Sequence, residues 1–106
     1  MMARLAIPQQ ALADTLIDAL RPADAVITKS RSIPWASATF SGARHYFDIA
    51  VTGSSAKDAV LRFQTGLQDM EFDLPDHLVA DILLANLGTE TSETTLSIEA
   101  LTVEIR

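Results

Sequence analysis

The chain contains no cysteine. That absence excludes disulfides, thiolate nucleophiles and cysteine-based zinc sites together, and it fits a reducing compartment. No secretory leader is expected either. The opening "MMARLAIPQQALADTLIDAL" has one early arginine, but Gln9-Gln10 and two aspartates interrupt any apolar stretch. No run approaches the roughly 20 apolar residues that a membrane-spanning helix needs. A basic stripe is lacking too: the only cluster is Lys29-Ser30-Arg31, in a chain of net charge −6. An acidic protein repels phosphate backbones, so nucleic acid is excluded as a partner, as is the membrane. Signature motifs of nucleophilic enzymes and of dinucleotide binding (GxSxG, SxxK, a Gly-rich fingerprint) are absent, as are EF-hand and HExxH metal spacings. No cofactor is expected, and the default location is cytoplasmic.

What is present suffices for one α+β domain over residues 1–106. Apolar residues make up 48% of the chain and charged residues 21%, so a core can form beneath a wettable surface. A chain of this length buries roughly two-thirds of its extended-chain surface. Charge is unevenly placed. Residues 1–62 carry seven Lys/Arg against five Asp/Glu, whereas residues 63–106 carry one against nine. The plain reading is ordinary solvated faces, and the sharper one is attraction between the two halves, within or between chains.

The pattern of apolar residues orders the elements. "PQQALADTLIDALR" reads as a helix over 8–21, with Pro8 in its first turn, a stripe of Leu12, Leu16 and Leu20, and Pro22 as its stop. "PADAVITKSRSIP" reads as a connection, with Val26 and Ile27 as a candidate short strand. Gly42-Ala43 is placed as a two-residue hairpin turn, pairing Phe40 with His45, Ala38 with Phe47 and Ala36 with Ile49. Residues 55–69 form the clearest helix, through Ala56, Ala59, Val60, Phe63, Leu67 and Met70, with Ser55 and Asp58 as a weak capping box. Met70, Phe72 and Leu74 alternate as a short extended piece. "HLVADILLANLG" (77–88) is preferred as a strand because "TTLSIEALTVEIR" needs an antiparallel neighbour. In that last strand Leu96 and Ile98 differ in parity from Leu101, Val103 and Ile105, which predicts a β-bulge near Glu99-Ala100. The expected fold is a two-layer sandwich, order α-β-β-α-β-β: a largely antiparallel sheet of four to five strands with two helices on one face.

Candidate polar groups are few. His45 and Asp48 lie within one tetrapeptide, but strand alternation puts them on opposite faces, so they cannot act as a dyad. Asp76, His77 and Asp81 belong to the densest acidic patch. Carboxylates with one imidazole can hold a divalent metal, but the spacing is unrecognisable, and turn chemistry around Pro75 accounts for the aspartates. Asp81 sits in the most apolar run and is expected at an exposed strand edge. Trp35, Tyr46 and Ala50 fall on the sheet face away from the helices. That face is too apolar to be indifferent to water and is the expected interface. The preferred function is therefore a small non-catalytic domain acting through self-association, as a homo-oligomer, or through protein binding. The alternatives are a small-molecule-binding module with a pocket between sheet and helices, beneath Ala36, Ala38 and Gly66, and a weak metal-dependent or acid/base enzyme.

Overall fold

The computed structural model describes residues 2–90 and 93–105, with side chains from residue 8 onward. Residues 91 and 92 and the two terminal residues lie outside this range. The order is α1 (Met2–Ala19), β1 (Asp24–Ala36), β2 (Ser41–Thr52), α2 (Ala56–Gly66) with a 3₁₀ turn (Leu67–Asp69), β3 (His77–Thr89) and β4 (Glu93–Glu104). The four strands form one antiparallel sheet in the order β1-β2-β4-β3. This is a small α+β fold.

The core follows from two periodicities. In α1, Leu12, Leu16 and Leu20 recur every four residues and are wholly buried. In β2, Phe47, Ile49 and Val51 alternate inward, and in β4 so do Leu96, Ile98 and Ala100. Together with Ala59, Val60, Phe63 and Leu67 they form one apolar cluster. Each fully buried Leu, Ile or Phe contributes about 1.5–3 kcal/mol. Leu74 plugs the same cluster from the irregular segment before β3.

The strands of the two halves share one spacing. β1 and β3 begin at residues 24 and 77 and end at 36 and 89, an offset of 53 at both ends. At the centre Tyr46 pairs with Glu99, and these two are themselves 53 apart. An approximate two-fold axis through this pair relates β1 to β3 and β2 to β4.

Several expectations are corrected. The sheet has four strands, because Met70–Leu74 is irregular rather than paired. Residues 24–36 are not a connection but a full edge strand, which tolerates polar residues and Pro34 because one side of it makes no ladder. The β1–β2 turn is at 37–40, not at Gly42-Ala43: the Ser37 N–H donates to the Phe40 carbonyl at 2.7 Å, and the Phe40 N–H donates back to Ser37 Oγ at 3.1 Å. Gly42 instead pairs with Trp35 inside the sheet. The register moves accordingly: Ser32 faces His45, Ser30 faces Phe47 and Ile27 faces Ile49. α1 starts before Pro8, which lies inside it, and Ser55 makes no side-chain cap bond. β4 pairs with β2 without interruption, so no bulge lies at Glu99-Ala100. The register shifts occur on the edges, between Ile27 and Lys29 in β1 and at Val79/Asp81 and Leu84/Asn86 in β3.

Gly42 is required by close approach. A Cβ there would stand inside the contact distance of the Thr102 carbonyl oxygen and 3.1 Å from Trp35 Cζ2. Gly42→Ala is therefore expected to destabilise the fold by about 1–3 kcal/mol or more, the scale of overpacking in a filled site. A urea midpoint equal to the wild type's would contradict this.

Candidate functional site

Two groups of residues stand out, one on each side of the sheet. On the helix side is a polar cluster drawn from four elements. His45 (β2) and Thr102 (β4) are completely buried. His45 Nε2 lies 2.8 Å from Thr102 Oγ1. Its Nδ1 contacts Gln9 Oε1 of α1 and lies 2.8 Å from Ser32 Oγ of β1. Gln9 in turn donates from Nε2 to Ser30 Oγ at 2.9 Å. With a carbonyl oxygen facing Nδ1, the consistent proton placement is on Nδ1, which donates to Gln9. The Ser32 hydroxyl also donates to Gln9 Oε1, and the Thr102 hydroxyl stands 2.8 Å from Nε2 and 3.4 Å from the Ala43 carbonyl, the nearer nitrogen being its acceptor in this placement. Every buried polar atom of the ring is then satisfied.

This geometry brings a serine hydroxyl to a histidine ring nitrogen. With this proton placement the nitrogen near Ser32 offers no lone pair to activate that hydroxyl. The free lone pair, on Nε2, is taken by Thr102. Burial is the main cause that lowers the His45 pKa from 6.5 to about 4, with a smaller contribution from the charge of His77. The ring is a neutral polar cross-brace linking α1, β1, β2 and β4.

The opposite face is the open one. Reading across β1-β2-β4-β3, its first row is Trp35, Gly42, Val103, Leu78, and its second is Ile33, Arg44, Leu101, Asp81. The third row is Arg31, Tyr46, Glu99, Leu83, and the fourth is Lys29, Asp48, Ser97, Asn86. Leu78 is 61% exposed, Ile33 42% and Leu83 40%. Trp35 is half-buried, and its Nε1 is shut from solvent with no hydrogen-bond partner among the described residues. An unpaired buried donor of this kind costs about 1–3 kcal/mol. The Arg31 guanidinium lies over the Tyr46 ring, 4.6 Å from its centroid. Asp48 accepts from Ser97 Oγ at 2.8 Å. A shallow depression of about 540 Å³ lies over Lys29, Arg31, Tyr46 and Asp48.

The expected residues are thus distributed as follows. Trp35, Tyr46 and Ala50 share the open face, where Ala50 pairs with Val26 and Thr95. His45 and Asp48 lie on opposite faces. Asp76 sits in the turn before β3 with φ 57°, and His77 Nδ1 donates to the Pro75 carbonyl at 2.6 Å. Asp81 is exposed on the edge strand β3. Among the described residues no three His, Asp or Glu side chains converge as metal ligands would. Ala36 and Ala38 are exposed and do not underlie the helices. A groove of about 490 Å³ does exist elsewhere, between α2 and the adjoining ends of β3 and β4, lined by Lys57, Leu61, Leu87 and Glu93 among others. The contributions of Gln9, Ser32 and Thr102 to the histidine cluster were missed. Their only signal was the shared inward parity of His45 with Phe47 and Ile49.

Comparison with protein-family models, curated proteins and solved structures finds no match for this chain. No helix among the described residues is long and apolar enough to cross a membrane.

The buried imidazole makes stability depend on pH. Above pH 6.5 neither folded nor unfolded chain holds the extra proton. Between 6.5 and about 4 the unfolded chain takes it up and the fold refuses it, so stability falls with pH in that window. From pH 7 to pH 5 the loss from this residue is on the order of 1–2 kcal/mol. Urea unfolding of the wild type and of His45→Gln at both pH values checks this, and the variant should lack that part of the slope.

Proposed function

We propose that this chain is a non-catalytic association module, a two-layer α+β unit whose helices cover one face of the sheet and whose other face is the working surface. The observation that carries the reading is the apolar end of the open face, where Leu78, Ile33 and Leu83 are exposed around Trp35, Leu101 and Val103. Isolated exposed apolar residues are ordinary, but a contiguous patch rimmed by charge marks an interaction surface. The histidine cluster gives support from the other side, since its proton placement suits bracing and not catalysis.

Light scattering after size-exclusion chromatography tests the reading. The wild type is expected to run as a dimer at high micromolar concentration, and tryptophan emission should shift to the red on dilution as Trp35 meets water. Leu78→Lys is expected to run as a monomer with an unchanged far-ultraviolet circular dichroism spectrum. A wild-type monomer at high micromolar concentration would sink the idea.

A second reading rests on the groove beside α2. Its volume falls within the usual range for small-ligand sites, and its exposed Leu61 and Leu87 face Lys57 and Glu90. It takes a small amphipathic ligand. An anilinonaphthalene dye is expected to brighten on binding there and to lose that signal in Leu61→Asp. No enhancement with the wild type ends this reading.

A further inference from the structure

We infer that the open face receives a second copy of this chain, seated face to face about a two-fold axis that runs along the strands. The inference rests on the association reading and adds the partner and its orientation.

The argument is one of self-complementarity. On the open face the β1–β2 half carries Lys29, Arg31 and Arg44 against Asp24 and Asp48, a net positive charge, while the β4–β3 half carries Asp81, Glu93 and Glu99 and no lysine or arginine. Polarity also varies along the strands, from the apolar row of Trp35, Val103 and Leu78 toward charged rows at the middle. A two-fold axis parallel to the strands reverses left and right but leaves position along the strand unchanged. It therefore lays each basic half over the partner's acidic half and apolar row over apolar row, with Leu78 above the partner's Trp35. An in-plane axis across the strands would do the opposite, setting basic half on basic half and apolar end on polar end. Two sheets packed in an aligned manner keep their strands within about 30° of each other, which suits this arrangement.

The area is adequate. Strands of twelve residues at about 3.3 Å each, four abreast at about 4.8 Å, give a face of roughly 750 Å², near the 800 Å² or so per partner of a standard interface. The isologous contact closes on itself, so the product is a dimer and not a filament.

Two charge variants test the orientation. Arg31→Glu with Arg44→Glu makes the face predominantly acidic, and Asp81→Lys with Glu99→Lys makes it predominantly basic. Each variant alone is expected to be monomeric under conditions where the wild type is dimeric, and an equimolar mixture is expected to form the heterodimer, which also shows that both have folded. A single Val103→Cys, in a chain that has no other cysteine, is expected to cross-link to its symmetry mate near the axis through a short bismaleimide, whose reach matches the roughly 10 Å between packed sheets. A wild-type dimer whose charge variants both remain dimeric, or whose Val103→Cys variant does not cross-link, overturns the orientation and leaves the association reading standing. A wild-type monomer overturns both.

Discussion

The pairing of β2 with β4 is the constraint on which the rest of the molecule depends. These central strands run antiparallel in unbroken register from Gly42–Val103 to Thr52–Glu93. Because side chains alternate strictly along a strand, that one register decides which residues enter the core and which face outward. It sets His45 beside Ala100 and within reach of Thr102 on the inner side, and Tyr46 against Glu99 on the outer side. A slip of β2 by one residue against β4 would turn Phe47 and Ile49 to water and bring Asp48 into the core.

The buried histidine belongs to this constraint. Its ring spans the central pair through Thr102 and reaches the edge strand and α1 through Ser32 and Gln9. A fully apolar residue would pack without specifying partners, whereas a buried ring with two nitrogens is satisfied only in one relative arrangement of four elements. The cluster thereby fixes α1 against the sheet at the position where β1 offers serines in place of apolar side chains.

Much of this was legible in the sequence, where periodicity and burial coincide. The stripe of α2 and the leucines of α1 announce their elements because one face of each helix is buried and the other is not. The outward placement of Asp48 opposite His45 follows from strand alternation alone. Harder to read were the elements whose environment is mixed. β1 is an edge strand, so its "TKSRS" stretch resembles a loop. β4 is central, with one face buried and the other half-buried, so its apolar residues occupy both parities and mimic a phase slip. The hairpin turn was misplaced because Gly42 has the chemistry of a turn but serves a close approach beneath Trp35, while Ser37–Phe40 turns with weaker cues. The histidine cluster was illegible, since its members come from residues 9, 32, 45 and 102 and only the folded register brings them together.

The irregularities on the outer strands have a consequence for assembly. An open four-stranded sheet exposes two unpaired edges, each a template on which further strands could add without limit. Here β1 carries Pro34, which has no N–H to donate, and a bulge at Ile27/Lys29, while β3 carries two bulges and the charge of Asp81 beside one of them. These features bend the ladder out of register with any incoming strand. Growth of the sheet sideways, the route to fibres, is obstructed at both borders.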